Sequence, residues 1–302
     1  MAVADAGSLS KAAAALGHSN AAASRALALL EARLATRLVE RNTRRLYLTE
    51  DGQRFLARTR SVLADLADAE AEAANAVLDP AGTLRVSASL SFALQHIAPH
   101  LPDYLRRCPK VRVHVEVANR YLDIVENGID LAIRTREVEP DSAIMVRRLA
   151  ETRRILAAAP AYLAARGCPE RPEALAGHDL LLYTYARDPN TLRFARGCEG
   201  TTIDVSGLLE SNDGQILRAA ALNGLGILVQ PAYIVHEDLA AGRLVPVLDD
   251  WDLPRLTINM AYPSRKHLSA KVRSFIDFLV ERFAEQGYER RWTGRQHGST
   301  TC

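Results

Sequence analysis

The feature that most constrains this sequence lies within residues 7–52, where two short alanine-rich segments precede an arginine-rich one. Ser8 is an N-cap candidate because its side-chain oxygen can accept a hydrogen bond from the first helical turn, and good helix formers follow it. Gly17 ends this helix, since glycine adopts the left-handed conformation of a helix terminus at little cost. Ser19 then caps a second helix that begins at Asn20. A turn of about three residues between two helices predicts a helix-turn-helix.

The chain after this helix pair predicts a small basic hairpin. Four leucines first recur at spacings of three and four, the pattern of one apolar helix face. These leucines are Leu27, Leu30, Leu34 and Leu38. In residues 41–49, polar and basic residues precede an alternating, strand-like run. Thr49 can cap the next helix, with Gln53 near the position that completes a capping box.

The charge distribution supports a DNA-binding role for this end of the chain. The formal net charge is only +2, yet residues 1–60 hold ten lysines and arginines against five acidic residues. Residues 61–79 hold five acidic residues and no basic one. Arg44 and Arg45 could form an ordinary solvated turn, but their position after a helix-turn-helix favours contact with phosphates or the minor groove.

These residues resemble the winged helix-turn-helix of the LysR-type transcriptional regulators, and the resemblance extends over nearly the whole chain. The Arg44-Arg45-Leu46 segment is similar to the wing of one large subgroup. The family usually has Gln at the position of Asn20, and often Pro or Ser at that of Ala21. Its members also carry further residues before Met1, so we expect the coding start to lie upstream and this form to bind DNA poorly. The residues that carry the resemblance are Gly7-Ser8-Leu9-Ser10, Ala12-Ala13, Leu16, Ser19, Ser24-Arg25, Leu30-Glu31, Leu38, Arg41 and Leu48-Thr49-Glu50-Asp51-Gly52.

The expected DNA contacts centre on the second helix, whose N-terminus at Ser19 would enter the major groove. The amide of Asn20 can bond adenine bidentately, because that base offers one acceptor and one donor there. Ala21 can make only apolar contact, for example with a thymine methyl group. Ser24 and Arg25, one turn further on, would bond phosphates, which position the protein without reading sequence.

Residues 51–78 read as one long helix with a seam at alternating spacings of four and three. The seam consists of Phe55, Thr59, Val62, Leu66, Ala69, Ala73 and Ala76. The helix could bury this seam on its own domain. The resemblance instead implies a linker helix that pairs two subunits, hence a homodimer or homotetramer reading a dyad-symmetric site in double-stranded DNA. The hinge after it is Asp79-Pro80-Ala81-Gly82.

Beyond Gly82, strands and helices alternate as in an α/β domain. Strands are predicted at residues 83–89, 111–117, 128–134 (after a turn), 147–158 (as a strand pair), 180–185, 202–205, 226–230, 245–248 and 256–262. Helices are predicted at residues 91–105 with Ser91 as cap, 121–127, 161–166, 172–176, 213–223 and 269–283, followed by a frayed polar tail.

The fold class expected is therefore multi-domain α/β. The resemblance implies a winged helix-turn-helix, a long linker helix and a two-lobed effector-binding domain with the architecture of periplasmic solute-binding proteins. The predicted segments are residues 1–52 for DNA binding, 53–79 for the linker, 80–160 and 263–287 for lobe 1, 161–262 for lobe 2, and 288–302 for the tail.

A small-molecule effector is expected between the lobes, where strand ends and helix starts converge and helix N-termini present unpaired N–H groups. The hydroxyls, amides and one cation available there suit a carboxylate or similar anion. The resemblance also places Arg134 and Thr135 in this cleft, although Arg134 could instead pair with Asp130 or face solvent. The candidate effector residues are Ser89, Ser91, Arg134, Thr135, Ser211, Asn212 and Gln230.

Several enzyme-like signals have plainer explanations. Gly224-Leu225-Gly226 lies between a helix and a strand, the reverse of the order that a phosphate-binding loop requires. His96 and His100 are four apart on a predicted helix but lack the glutamate of a metalloprotease motif. No Gly-x-Ser-x-Gly elbow surrounds Ser87, Ser89 and Ser91, and the four cysteines lack the paired spacing of a disulfide frame or zinc site. We expect no catalytic residue, metal ion or cofactor.

Two other functions remain open at this stage, a solute-binding protein that uses only the two-lobed part and an enzyme on the α/β scaffold. No apolar run approaches the roughly 18 residues that a membrane span needs, and no secretory leader is recognisable. We therefore expect a cytoplasmic regulator without a membrane partner, for which RNA polymerase is a possible further partner.

Overall fold

The computed structural model describes residues 1–41, 46–73, 79–120, 123–136, 144–263 and 268–295. The chain divides into two compact units, Met1–Leu78 with Asp123–Ile129, and Asp79–Leu122 with Asp130–Cys302. None of the described helices combines the length and apolar character needed to cross a membrane.

The first unit begins with three helices, α1 (Ala2–Ala6), α2 (Leu9–Ala15) and α3 (Asn20–Leu34). Gly17 follows α2 with a φ of 67°, so the turn needs the left-handed conformation that glycine tolerates. The Ser19 hydroxyl accepts a hydrogen bond from the Ala22 N–H at 3.2 Å and caps α3 as predicted. Ser8 occupies the N-cap position of α2 but makes no side-chain cap bond. The helix-turn-helix is thus confirmed.

The prediction that Leu38 continues the apolar face of the second helix is wrong. Helix α3 ends at Leu34 because Ala35 turns left-handed, with a φ of 50°. Leu38 is buried beyond the helix, beside the start of β1 (Val39–Arg41). This strand pairs antiparallel with β2 (Leu46–Leu48), forming the wing. Arg44 and Arg45 lie outside the described residues.

Helix α4 (Glu50–Ala73) follows the wing and is capped by Thr49, whose hydroxyl accepts from the Gly52 N–H at 2.9 Å. The predicted capping box does not form, because the Thr49 N–H already donates to the Leu38 carbonyl at 3.1 Å and is not available to Gln53. Gly52 is required here, since a Cβ on it would lie 2.0 Å from the Leu38 carbonyl oxygen.

The predicted seam of α4 stays a prediction. Val62 and Leu66 leave 64% and 54% of their surface exposed in the single chain. The outer end of the seam, with the side chains of Ala69, Ala73 and Ala76, lies outside the described residues.

The second unit contains two five-stranded sheets and a separate hairpin. The first sheet has the order β4-β3-β5-β14-β6. Its strands are β3 (Gly82–Ala88), β4 (Val111–Val117), β5 (Leu131–Arg136), β6 (Ile144–Thr152) and β14 (Leu256–Pro263). The second sheet has the order β11-β8-β12-β7-β13. Its strands are β7 (Arg154–Ala158), β8 (Leu180–Tyr183), β11 (Gly207–Ser211), β12 (Ile227–Pro231) and β13 (Val245–Val247). The hairpin pairs β9 (Thr191–Arg196) with β10 (Glu199–Asp204).

Strand pairing corrects the predicted lobe boundaries. Strands β6 and β7 are consecutive, but they belong to different sheets and do not form the expected pair at residues 147–158. Strand β14, expected in lobe 2, lies between β5 and β6 of the first sheet. The first segment of lobe 1 therefore ends at residue 152 instead of 160. Its second segment begins at residue 256 instead of 263.

Arg153 holds the crossover between the two sheets. It is 2% exposed, and its guanidinium donates to the Asp249 carboxylate at 3.0 Å and to the Asp249 carbonyl at 3.2 Å. Its Nε lies 3.1 Å from Asp252 Oδ1 without the alignment of a hydrogen bond. Its own N–H donates to the Trp292 carbonyl at 3.0 Å, and its carbonyl accepts from the Ala232 N–H at 2.8 Å.

The helix after β3 is broken and is capped by Ser89, not by Ser91 as predicted. The Ser89 hydroxyl accepts from the Phe92 N–H at 3.3 Å, which places Ser91 inside the first turn, where it is buried. Four short pieces follow one another in place of a single helix. They are α5 (Leu90–Phe92), a π-helical turn (Ala93–Ile97), a 3-10 turn (Ala98–His100) and α6 (Leu101–Arg107).

The remaining helices cover the sheets. They are α7 (Pro160–Arg166), a 3-10 turn (Pro172–Gly177), α8 (Gly214–Leu222), α9 (Ala232–Ala240), α10 (Ala270–Gln286) and α11 (Tyr288–Thr293). In place of the helix predicted at residues 121–127, the described part from Asp123 forms turns. The Asp123 carboxylate accepts a hydrogen bond from the Glu126 N–H at 2.7 Å, and such a local bond competes with helix formation.

Two further expectations are corrected by this unit. The frayed tail was predicted from residue 285 onward, but α11 buries Trp292, whose ring stacks on Tyr288 at 4.8 Å and meets Phe283 at 5.8 Å. Cys168 is disulfide-bonded, which its spacing did not predict. Cys108 and Cys198 are free thiols.

Candidate functional site

The predicted DNA-reading residues lie together at the start of α3. Ser19, Asn20, Ala21 and Arg25 are exposed, and Ser24 is half-buried. The N-terminus of α3 carries the partial positive charge that favours a phosphate. The exposed side chains thus lie at the same end of one helix, as in a recognition helix that contacts DNA through its N-terminal residues.

Glu31 ties the wing to this helix, a role that the sequence reasoning missed. Its Oε1 accepts from the N–H groups of Leu38 at 2.9 Å and Val39 at 3.1 Å. Both partners are buried, so the carboxylate satisfies two backbone donors at the start of β1. One sequence signal could have indicated this role. Glu31 is the acidic residue in the last turn of α3, and the apolar pair Leu38-Val39 follows the helix.

A cavity of about 650 Å³ in the second unit lies between residues of the two sheets. Five of the seven predicted effector residues line it, and they come from the ends of β3, β5 and β12. These are Ser89, Ser91, Arg134, Thr135 and Gln230. The ends of these three strands therefore meet at one cavity.

Ser211 and Asn212 do not line the cavity. The Ser211 hydroxyl accepts from the Asp213 N–H at 3.1 Å, and the Asn212 amide donates to the Tyr185 hydroxyl at 3.4 Å. The neighbouring Asp213 is buried, with 9% of its surface exposed. It caps α8 by accepting from the Gln215 N–H at 2.7 Å.

Asn119, which the sequence reasoning did not single out, joins segments of the two lobes beside the cavity. Its amide donates to the Asp213 carboxylate at 2.6 Å, and its Oδ1 accepts from the Leu90 N–H at 3.2 Å. Asn119 lines the cavity itself. No pattern around it distinguishes it, because its partners are distant in the sequence.

Gln230 and Gly214 lie close together in the wall of the cavity. Gln230 is 1% exposed, and its Nε2 has no hydrogen-bond partner among the described residues. A Cβ on Gly214 would lie 3.1 Å from the Gln230 Oε1, 3.2 Å from the Ser91 Oγ and 2.9 Å from the Ile234 Cδ1. Gly214 is the first residue of α8, so its missing side chain lets the helix start approach both lobes.

The charge of the lining is predominantly positive. Among the described residues, five arginines contribute to it, against one carboxylate, Asp188, which pairs with Arg193 at 2.8 Å. The arginines are Arg120, Arg134, Arg136, Arg154 and Arg187. Sequence reasoning identified only Arg134, although Arg136 lies two residues on, on the same face of β5.

The rest of the lining is aromatic and apolar. Tyr183 and Tyr185 meet edge to face with ring centroids 6.1 Å apart, and Tyr233 and Val229 line the wall from α9 and β12. An anionic ligand with an apolar or aromatic portion would find a counterpart for each part.

The enzyme-like signals take the plainer explanations. Gly224 and Gly226 form the turn between α8 and β12, where a Cβ on Gly226 would lie 2.3 Å from the Asp179 carbonyl oxygen. His96 bonds the Tyr233 carbonyl at 3.1 Å and His100 the Tyr288 hydroxyl at 3.0 Å, so the two rings face different partners. Within the described ranges, no three His, Cys, Asp or Glu side chains are grouped to hold a metal ion.

Comparison with known families identifies both parts of the chain. The family model for the bacterial regulatory helix-turn-helix protein, lysR family, matches residues 1–53. The model for the LysR substrate binding domain matches residues 79–284.

Individual relatives agree with these matches. The chain is 34% identical to the HTH-type transcriptional regulator CrgA of Neisseria meningitidis, over 92% of this chain and 93% of that protein. It is also 34% identical to the HTH-type transcriptional activator TtdR of Escherichia coli, over 91% of this chain and 88% of that protein.

Solved structures show the same likeness. The structure of CrgA superposes with a TM-score of 0.62 at 33% identity, covering 93% of this chain and 95% of that one. The full-length structure of the Vibrio cholerae virulence activator AphB has a TM-score of 0.61 at 27% identity, covering 93% and 96%. The chain belongs to the family of LysR-type transcriptional regulators.

Proposed function

We propose that this chain is a sequence-specific DNA-binding transcriptional regulator, controlled by a small anionic effector bound in the cavity between the two lobes. The observation that carries the proposal is a roomy cavity with an arginine-rich lining, on a chain that also has a helix-turn-helix with exposed polar residues at the start of its second helix. It acts by binding, not by catalysis, as its relatives are named transcriptional regulators.

The residues of the recognition helix α3 and its cap that are proposed to contact DNA are Ser19, Asn20, Ala21, Ser24 and Arg25. Asn20 reads an adenine, and Ala21 lies against a base edge. Ser24 and Arg25 contact phosphates. Arg44 and Arg45 add phosphate or minor-groove contacts from the wing.

Separate substitutions distinguish base reading from phosphate contact. Asn20→Ala should lose about 1–3 kcal/mol of binding at a single base pair, while random DNA binds as before. Arg25→Ala or Arg44→Ala should weaken binding to all sequences and reduce the salt slope by about one unit. Arg33→Ala is the matched control, since Arg33 is an exposed arginine in the last turn of α3. Equal losses for Asn20→Ala on specific and random DNA would remove it from base reading.

The effector is proposed to bind against the arginine-rich wall. The hydroxyl groups of Ser89, Ser91 and Thr135 would donate hydrogen bonds to it. A carboxylate group in the cavity would take advantage of the surrounding positive charge. The tyrosines and apolar residues would hold the remainder of the ligand.

A screen of organic acids and aromatic metabolites by thermal shift, followed by calorimetry, tests this site. Ser91→Ala, Arg134→Ala and Gln230→Ala should each weaken a hit about tenfold, as expected when one buried polar partner is lost. Asn223→Ala is the control, because its exposed amide donates to the Ala219 carbonyl at 2.8 Å and neither residue lines the cavity. If the affinity of a hit is unchanged by all three cavity substitutions, the effector binds elsewhere.

We further propose that separate segments of the chain bind DNA and pair the subunits. Residues 1–52 bind DNA, and residues 53–79 form a linker helix whose exposed Val62 and Leu66 pack on a second copy. The resulting homodimer or homotetramer acts in the cytoplasm, where its DNA lies, and RNA polymerase is a further partner. Leu66→Glu should shift the assembly towards monomer in sedimentation velocity, and an unchanged distribution would refute the linker interface.

A further inference from the structure

One hydrogen bond, between Asn119 and Asp213, joins the two lobes beside the effector cavity. Asn119 follows β4 of the first sheet, and Asp213 lies between β11 of the second sheet and α8. The Asn119 Nδ2 donates to the Asp213 Oδ2 at 2.6 Å. Asn119 lines the cavity, and so does Gly214, the residue after Asp213. The bond therefore links the two walls of the cavity directly.

Each partner is fixed by a second hydrogen bond within its own lobe. The Asn119 Oδ1 accepts from the Leu90 N–H at 3.2 Å, which sets the orientation of the amide and directs its Nδ2 at Asp213. The Asp213 Oδ1 accepts from the Gln215 N–H at 2.7 Å, and its Oδ2 accepts from Asn119. Because the Asp213 carboxylate is buried, a hydrogen bond to it is stronger than one between neutral groups.

Strand order places this bond at the edges of the two sheets that lie farthest from the crossover. The chain crosses between the sheets twice, from β6 to β7 and from β13 to β14. In the first sheet β6 and β14 lie at one side and β4 is the opposite edge strand. In the second sheet β7 and β13 lie at one side and β11 is the opposite edge strand. Three strand spacings of about 4.8 Å separate β4 from β14, which gives a lever arm of roughly 14 Å.

A small rotation about the crossover is enough to break a bond at that distance. An opening of about 4° moves the far edge by roughly 1 Å, which stretches a bond of 2.6 Å beyond hydrogen-bonding distance.

Two other hydrogen bonds cross between the lobes nearer the middle of the second sheet. The Gln95 Nε2 donates to the Ile234 carbonyl at 2.9 Å. The His96 Nε2 lies 3.1 Å from the Tyr233 carbonyl oxygen. Both acceptors belong to α9, which follows the central strand β12. Of the three bonds, the one at the sheet edges is therefore the most sensitive to opening of the lobes.

We propose that Asn119 and Asp213 are positioning residues, which clasp the two lobes together and fix the spacing of the effector cavity walls. The inference rests on the proposed function, because it assigns the clasp to the effector site. Neither residue has to touch the ligand. A ligand that contacts both walls meets groups already held at one separation, which lowers the ordering cost of binding.

Exchanging the two side-chain types tests the clasp and contains its own rescue. Asp213→Asn keeps an acceptor for the Gln215 N–H, because asparagine is an equally good cap, but sets an amide nitrogen against that of Asn119. Asn119→Asp keeps an acceptor for the Leu90 N–H but sets two carboxylates against each other. In the double variant one amide again faces one carboxylate, so the clasp should form in reverse.

The distance between the lobes is measured on the full chain by pulsed electron paramagnetic resonance, without DNA or effector. One spin label is attached to Cys198, an exposed free thiol in the hairpin that packs on the second sheet. The other is attached to Arg112→Cys, at an exposed position of β4, while the buried Cys108 is left unchanged. An excess of unlabelled chain removes distances between subunits. Glu210→Gln is the matched control, an exposed acid on β11 outside the cavity lining.

The wild-type chain, the double variant and the control should each give one narrow distance distribution. Each single variant should add a longer distance, with the ratio of open to closed forms raised about tenfold, as expected when a hydrogen bond to a charged group is lost. An unchanged distribution in either single variant, even with a lower thermal midpoint, would overturn the proposal. A double variant as open as the single ones, or an equal opening in Glu210→Gln, would also overturn it. Because no effector is added, failure of the clasp is distinguishable from failure of the proposed effector site.

Discussion

Glu31 allows a sharp test of how the DNA-binding unit holds its wing. Its Oε1 accepts two backbone hydrogen bonds, from Leu38 at 2.9 Å and from Val39 at 3.1 Å. A hydrogen bond to a charged group contributes about 1.5–3 kcal/mol. The pair is only partly buried, so the lower end of that range applies to each bond. We therefore expect Glu31→Ala to destabilise the wing by about 3 kcal/mol.

Hydrogen exchange of the full chain, measured by mass spectrometry, reports this loss directly. A loss of about 3 kcal/mol should speed exchange at the Leu38 and Val39 amides about 100-fold. Glu31→Gln keeps an acceptor oxygen and should cost about 1 kcal/mol. Glu40→Ala removes an exposed acid from β1 and is the control. Unchanged protection in Glu31→Ala, or an equal loss in Glu40→Ala, would refute the reasoning.

Three further changes test packing and titration elsewhere. Gly52→Ala should destabilise the DNA-binding unit by at least about 2 kcal/mol in thermal unfolding, because the new Cβ would meet the Leu38 carbonyl oxygen at 2.0 Å. Arg153→Ala should lower the free energy of urea unfolding by about 3–5 kcal/mol, since it leaves the carboxylate of Asp249 buried without its partner. Burial holds the pKa of His96 at about 4, below the 6.5 of the unfolded chain. The unfolded chain therefore takes up the proton first, and stability should fall by roughly 3 kcal/mol between pH 6.5 and 4. His96→Gln should flatten that part of the pH curve.

The local parts of the fold were predictable because their causes lie within a few residues. The Ser19 cap and the left-handed Gly17 each act over a single turn, so the helix-turn-helix could be read directly. The apolar spacing failed at Leu38 because periodicity does not show that Ala35 ends the helix. The capping box failed for a similar reason, since the Thr49 N–H found a partner on another segment.

The non-local parts required the structure. Strand β7 follows β6 directly but pairs with β12 and β13, a choice decided by residues about 70 or more positions away. The same limit applies to the cavity, where Ser89, Ser91 and Gln230 could be placed at strand ends. Asn119 depends on partners such as Asp213 that no pattern links to it.

Chromatin immunoprecipitation of the tagged protein, expressed from its own chromosomal locus and followed by sequencing, tests the central claim most directly. We expect enrichment at a small number of sites that share a dyad-symmetric motif, with Asn20→Ala altering the preferred sequence and Arg25→Ala losing the sites. Even recovery across the chromosome, or the same sites in both variants, would contradict the account of a sequence-specific regulator.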